Sequence, residues 1–236
     1  FTPQPGESIA IVGPTGAGKT TIVNLISRFY NIEEGAVLID GHSVMDVTLH
    51  SLRSQMGIML QDSFVFSGTI ADNIRYGRLD ASDADIVRVS KLLCADEFIQ
   101  KLPHGYETEV KERGGGLSQG QKQLIAFART LLADPKILVL DEATSSIDTS
   151  TEQLLQRGIN LLLQGRTSFI IAHRLSTIRS CTRIMYIDGG EIKEAGSHDE
   201  LMAKKGYYYD LYMAQYREEP EEASPAPSQT GEFSPA

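Results

Sequence analysis

The chain has 236 residues, of which 41% are hydrophobic and 22% are charged, so it can bury a core for one or two folded domains. Its net charge of −9 argues against a general nucleic-acid-binding surface, and no apolar run approaches the ~20 residues that cross a bilayer as a helix. The two cysteines, Cys94 and Cys181, lie far apart without a CxxC pattern, which is typical of free thiols in a reducing compartment.

The first predicted unit is a strand, a glycine-rich loop and a helix. Residues 7–12 form a short apolar run, and residues 21–29 carry apolar side chains at helical spacing. Between them, Gly13–Thr20 reads GPTGAGKT and satisfies G-x-x-x-x-G-K-[ST], the pattern of a phosphate-binding loop. Its position between a strand and a helix is the context that this motif requires.

The chemistry of this loop predicts that it binds the phosphates of a nucleotide. Glycines let backbone N–H groups converge on phosphate oxygens, the helix N-terminus adds a partial positive charge, and Lys19 adds a full one. The Thr20 hydroxyl is placed to hold Mg²⁺. The predicted ATP-binding residues are Gly13, Thr15, Gly16, Ala17, Gly18, Lys19, Thr20 and Thr21.

The next part of the chain, up to residue 133, changes from mixed to mostly helical character. We predict an inserted α-helical subdomain over about residues 63–133, because strand signals are weak there. Its last helix is long, with Ser118 as N-cap, and Asp134-Pro135 ends it. Two strands are predicted before this region, at 36–39 and 56–60. The predicted helices in and around it are 49–55, 83–93, 96–102 and 118–133.

The C-terminal part predicts alternating strands and helices, followed by a tail. Strands that alternate with helices imply a largely parallel sheet. Asp188-Gly189-Gly190, flanked by residues 183–187 and 191–195, is a hairpin signal. Residues 217–236 are rich in Glu, Pro, Ser and Ala and are predicted to be disordered. The predicted strands are 136–140, 167–172, 183–187 and 191–195, and the predicted helices are 149–163, 198–204 and 207–216.

Two further motifs reveal a family resemblance. Leu117–Gln121 reads LSQGQ at the start of the long helix, and Ile137–Glu142 reads ILVLDE, an apolar strand that ends in two acids. With the phosphate loop, these resemble the signature LSGGQ and the Walker B motif of the nucleotide-binding domain of an ABC transporter. The resemblance covers about residues 6–215. The family's other motifs follow in order: Gln61 as Q-loop, Glu112-Arg113-Gly114 as X-loop, Ser146-Ile147-Asp148 as D-loop, and His173 as switch histidine.

The resemblance implies the fold. We expect an α/β domain over residues 1–216, with a RecA-like P-loop NTPase core, a mixed and mainly parallel sheet, and an inserted α-helical signature subdomain. The family stacks adenine on an aromatic residue well upstream of the phosphate loop, whereas twelve residues precede Gly13 here. We therefore expect the antiparallel β subdomain of the family to be truncated at its N-terminus.

The resemblance also implies roles around the γ-phosphate of ATP. Asp141 would hold Mg²⁺ through water, and Glu142 would polarise the attacking water as general base. His173 would hydrogen-bond to the γ-phosphate and to Glu142, and the Gln61 amide would reach Mg²⁺ or the attacking water. The implied catalytic residues are thus Glu142, His173 and Gln61, and the implied Mg²⁺ residues are Thr20, Gln61 and Asp141.

The signature motif opens a helix, so its N–H groups and dipole form a second anion site. The resemblance implies that this site completes the ATP site of a partner domain, head to tail, with Asp148 at the dimer seam. Gln119 departs from the family glycine but keeps the flanking serine and glycine, so we expect a working signature. Its residues are Leu117, Ser118, Gln119, Gly120 and Gln121.

A narrower resemblance concerns the class of transporter. Residues 66–74, FSGTIADNI, and the ERG X-loop resemble the exporter type, the multidrug or lipid half-transporters. This implies ATP hydrolysis that powers export from the cytoplasmic face of the cell membrane, with ATP and Mg²⁺ as cofactors. The implied partners are a transmembrane domain, in the same or an associated chain, and a second ABC ATPase domain, identical or different, but no nucleic acid. Two alternatives stay open: an ABC-type ATPase outside transport, in DNA repair or translation, and a binding-only ATP clamp in a heterodimer.

Overall fold

The fold is built on strands and helices that alternate along the chain. The computed structural model describes residues 1–59, 64–111, 114–141 and 149–218. Within them the strands are β1 (Ser8–Val12), β2 (Leu38–Ile39), β3 (His42–Ser43), β4 (Met56–Met59), β5 (Gly68–Thr69), β6 (Glu109–Val110), β7 (Ile137–Asp141), β8 (Thr167–Ile171), β9 (Arg183–Asp188) and β10 (Glu191–Gly196). The helices are α1 (Lys19–Ile26), α2 (Leu49–Arg53), α3 (Ile70–Arg75), α4 (Asp83–Leu92), α5 (Asp96–Ile99), α6 (Gln119–Ala133), α7 (Thr149–Leu163), α8 (Leu175–Ser180), α9 (His198–Lys204) and α10 (Tyr207–Glu218), with a 3-10 turn over Gly105–Glu107.

One six-stranded sheet carries the core, in the order β10-β9-β1-β8-β7-β4. Its strands are parallel except for β10, which pairs antiparallel with β9. All five residues of β1 are buried, as expected of a central strand that is covered on both faces. This confirms the predicted α/β class with a mixed, mainly parallel sheet.

The two faces of the sheet pack into two separate hydrophobic clusters. Ala10 and Val12 of β1 point into the larger one, which contains most of the buried helical side chains. Ile9 and Ile11 point into the smaller one, together with Val23 of α1. The alternation follows from the period of two along a strand. The phosphate loop that follows β1 is therefore attached to a strand fixed from both sides.

The region predicted as an inserted helical subdomain shares its core with the sheet. The long helix α6 packs against α3, α4 and α7, and its Phe127 is fully buried in the same cluster as the β1 side chains. Arg129 of α6 donates to the backbone carbonyls of Asn73 (2.8 Å) and Phe64 (3.1 Å), which ties α6 to α3 and to the segment before it. Ser118 is the N-cap of α6, as predicted.

The C-terminal elements agree with the sequence to within a few residues. The hairpin of β9 and β10 forms around Gly189 and Gly190, and α9 has the predicted bounds. Helix α10 runs to Glu218, two residues beyond its predicted end and into the predicted tail, and residues 219–236 lie outside the described residues. Among the described residues, no helix combines the length and the apolar character needed to cross a bilayer.

Candidate functional site

The phosphate loop connects the end of β1 to the start of α1 and contains three glycines with positive φ, Gly13, Gly16 and Gly18. Gly18 is the N-cap of α1 with φ 100°, a conformation that side-chain-bearing residues avoid. Gly13 has φ 143°, and a Cβ built there would lie 2.0 Å from the carbonyl oxygen of Ile187 in β9. Both glycines of the motif are thus required by the backbone path and by close packing against β9.

Lys19 lies folded over its own loop. Its Nζ donates to the carbonyl oxygens of Gly13 (2.8 Å) and Pro14 (2.9 Å). Burial lowers the pKa of Lys19, and the negative charge of Asp141 opposes that shift. The ammonium group therefore lies against the loop, where two carbonyl oxygens accept from it. An anion bound to the loop can replace these carbonyl contacts.

Three neighbouring strands bring the other candidate residues to the same edge of the sheet. Ile11 of β1 pairs with Ile171 of β8, and Ile171 pairs with Asp141, the last residue of β7. Because parallel strands end at one edge, Asp141, the exposed His173 two residues after β8, and the phosphate loop share that edge. Open α/β sheets bind ligands in this position.

The pKa of Asp141 depends on the charges of two of these groups. Burial raises the pKa of Asp141, and the charges of His173 and Lys19 lower it. Desolvation disfavours the ionised form of this half-buried carboxylate, and a further cation beside it would stabilise that form.

The donor set suits Mg²⁺ in company with a phosphate. Among the described residues, no group of three or more acidic, His or Cys side chains could hold a metal ion. Mg²⁺ keeps several waters and binds one or two carboxylates together with substrate phosphates, rather than an all-protein cage. The Asp141 carboxylate and the exposed Thr20 hydroxyl fit that mode of binding. Thr15, Gly16 and Thr21 are also exposed on the loop.

The signature motif forms a second exposed helix tip. Ser118 and Gln119 are exposed, whereas Gly120 is buried and Leu117 packs partly buried against the core. The Oγ of Ser118 accepts from the Gln121 N–H (3.2 Å), and the Gln121 Oε1 accepts from the Ser118 N–H (2.9 Å). This capping box fixes the first turn of α6 while leaving its N-terminal face open to solvent.

Some predicted residues lie outside the described part of the chain. They are Gln61, Glu112, Arg113, Glu142 and Asp148. The described residues therefore bring together the phosphate loop, Asp141 and His173, and present the signature at a separate helix tip.

One contact to the phosphate loop was not predicted from the sequence. The backbone N–H of Gly190, in the turn between β9 and β10, donates to the carbonyl oxygen of Ala17 (3.0 Å). The hairpin signal at 188–190 was recognisable, but its proximity to the loop depends on β9 pairing beside β1, which no local pattern indicates.

Comparison with known proteins gives the same assignment over most of the chain. Residues 1–145 match the family described as ABC transporter. An uncharacterised ABC transporter ATP-binding protein of Bacillus subtilis (strain 168) is 56% identical over 216 residues, which cover 92% of this chain and 36% of that protein. A fatty acid ABC transporter ATP-binding/permease protein of Mycobacterium bovis is 53% identical over 211 residues, 89% of this chain and 33% of that protein.

A solved structure agrees with these sequences. A bacterial Atm1-family ABC exporter with ATP bound superposes with a TM-score of 0.83 and 46% sequence identity, over 93% of this chain and 38% of that chain. The chain thus spans about a third of the length of the relatives it matches. On the family match and on these relatives, the chain belongs to the ABC transporter family and carries its ATP-binding domain, an ATPase.

Proposed function

We propose that this chain is the ATP-hydrolysing motor of an ABC exporter. The observation that carries the proposal is the meeting of the phosphate loop, Asp141 and His173 at one edge of the parallel sheet, with Lys19 and Asp141 acting on each other electrostatically. The likeness to an ATP-bound exporter supports the transport class. The ATPase domain would extend from residue 1 to the end of α10, with a helical subdomain over about 63–133.

The site residues divide the chemistry among themselves. The loop residues Gly13 to Thr21 would hold the triphosphate through backbone N–H groups, and Lys19 would leave its carbonyl partners to bind phosphate oxygens. Thr20, Gln61 and, through water, Asp141 would hold Mg²⁺, which neutralises charge on the phosphates. Glu142 would take a proton from the attacking water, and His173 would hydrogen-bond to the γ-phosphate and to Glu142.

The second helix tip supports a dimeric arrangement. The exposed Ser118 end of α6 can attract an anion through its N–H groups. We infer that it completes the ATP site of a second ABC ATPase domain, with Asp148 at the seam. Closure on ATP and opening after hydrolysis would move an attached transmembrane domain at the cytoplasmic face of the membrane.

The test compares ATP binding with ATP hydrolysis. Glu142→Gln should keep ATP binding, reduce turnover at least 100-fold, and accumulate an ATP-bound dimer on size-exclusion chromatography with Mg-ATP. Lys19→Ala should remove ATP binding, because it deletes the positive charge of the loop. Unchanged turnover in Glu142→Gln would contradict the catalytic assignment, and negligible turnover of the unmodified dimer would favour a binding-only clamp.

A further inference from the structure

We propose that the backbone N–H of Gly190 positions the phosphate loop for nucleotide binding. This inference rests on the proposed function of the loop and adds a positioning group that lies far from the loop in the sequence. The contact joins the turn of the β9–β10 hairpin to the loop residue that precedes the N-cap of α1.

The turn has a donor available for this contact. Gly189 (φ 57°) and Gly190 (φ 77°) both adopt positive φ between the paired residues Asp188 and Glu191, which defines a two-residue type I′ hairpin turn. In such a turn, the flanking residues make the ladder hydrogen bonds and the central N–H groups do not. The Gly190 N–H donates instead to the Ala17 carbonyl oxygen at 3.0 Å.

The hairpin meets the phosphate loop at both of its ends. At the start, a Cβ on Gly13 would lie 2.0 Å from the Ile187 carbonyl oxygen, so the loop backbone rests directly on β9. At the end, a Cβ on Gly18 would lie 3.6 Å from the Cα of Gly190. The hairpin therefore contacts the loop at its start and at its end.

The hairpin is itself held by contacts with β1 and with α10. Strand β9 pairs in parallel with β1, in the register that sets Tyr186 beside Val12. On β10, the Glu194 carboxylate accepts from the N–H groups of Tyr207 (3.2 Å) and Tyr208 (2.9 Å) at the start of α10. The pairing with β1 and the contact with α10 hold the hairpin in place. Its turn can therefore impose a conformation on the loop that it contacts.

The consequence concerns the Gly18 amide. The carbonyl of Ala17 and the N–H of Gly18 belong to one planar trans peptide, so they point in opposite directions. When Gly190 holds the Ala17 oxygen, the Gly18 N–H is turned away from the hairpin, towards the side of the loop where phosphate would bind. The bond would thus preorganise a phosphate donor before the nucleotide arrives.

An amide-to-ester replacement tests this bond. Glycolic acid in place of Gly190, introduced by nonsense suppression in the full chain, deletes that N–H and leaves every side chain intact. The same replacement at Gly189 is the matched control, because it deletes the neighbouring N–H and also weakens the Asp188 carbonyl within the ladder. We expect the Gly190 ester to raise the Kd of a fluorescent ATP analogue with Mg²⁺ about fivefold, with the Gly189 ester within twofold of wild type.

The outcomes separate this inference from the proposed function. Thermal unfolding without nucleotide should show the Gly190 ester to be no less stable than the Gly189 ester. An unchanged Kd in the Gly190 ester, or equal losses of affinity in both esters, would overturn the positioning role while Lys19→Ala still abolishes binding. If Lys19→Ala leaves the Kd unchanged, the assignment of the loop itself fails.

Discussion

Replacement of Asp141 by Asn should stabilise the nucleotide-free protein and weaken its binding of Mg-ATP. Burial raises the pKa of Asp141 in the folded state, so the folded protein holds this proton more tightly than the unfolded chain does. Its contribution to stability therefore falls as pH rises from the ordinary value of 3.8 through the raised pKa, and at pH 7 the ionised carboxylate is a net cost. Asn has nearly the same shape and no charge.

The size of the gain is limited by solvent and by two neighbours. Asp141 is partly exposed, and the charges of Lys19 and His173 recover some of the cost of its ionisation. Solvent screening around a partly exposed carboxylate limits the free energy that its ionisation costs. We expect a gain of up to about 1 kcal/mol, which raises Tm by about 2–4 °C for a domain of this size. Loss of the charged acceptor should raise the Kd for Mg-ATP about tenfold.

The assay is thermal unfolding in EDTA without nucleotide, followed by titration with Mg-ATP. Asp134→Asn is a matched control, because Asp134 has φ 48°, which Asn tolerates, and lies far more exposed in an ion pair with Arg166 (2.7 Å). The control should leave Tm unchanged or lower it by the small worth of a surface pair, and leave ATP binding unchanged. A lower Tm in Asp141→Asn, or an unchanged Kd for Mg-ATP, would refute the reasoning.

Two further predictions concern a helix cap and a half-buried histidine. Ser118→Ala and Ser82→Ala each remove the N-cap of a capping box and should each cost about 1 kcal/mol of stability, but only Ser118→Ala should slow ATP hydrolysis of the dimer, by about tenfold; equal turnover in both variants would contradict the partner-site role. Burial, and then the charge of Arg179, lower the pKa of His198, whose Nδ1 lies 2.8 Å from the Tyr208 hydroxyl. Unfolded chains therefore protonate first as pH falls below about 6.5, so Tm should drop between pH 7.5 and 5.5 in wild type and less so in His198→Gln; the same drop in both would show that His198 is not responsible.

Long elements with clear ends were predictable from the sequence. Helix α7 has the predicted bounds because fifteen residues of helical periodicity outweigh any local ambiguity. Strand β7 was recognisable from its apolar run and its terminal acids. Some short elements were not predicted, although α2, α5 and α9 were. Helix α3 has six residues and depends on Asn73, which is buried and bonds to the backbone of Phe66 and Thr69, a tertiary arrangement rather than a periodic pattern.

The site could be predicted from the sequence only where a functional side chain comes directly after a predicted strand. Asp141 and His173 each come directly after an apolar run, and parallel strands must end at one edge, so their proximity to the phosphate loop follows from sequence order and topology. The Gly190 contact could not be found in this way, because it depends on which strand lies beside β1. The fold of Lys19 onto Gly13 is likewise a property of the folded loop.

The central claim is that two helix tips, one from each of two ABC ATPase domains, enclose one Mg-bound triphosphate. The most direct measurement is a crystal structure of Glu142→Gln grown with Mg-ATP, in which stalled hydrolysis preserves the bound state. The account predicts phosphate oxygens at Lys19 and Thr20 of one copy, with Ser118 of a second copy on the γ-phosphate. A nucleotide bound away from Thr20, or a Ser118 that faces solvent beside an occupied phosphate loop, would contradict it.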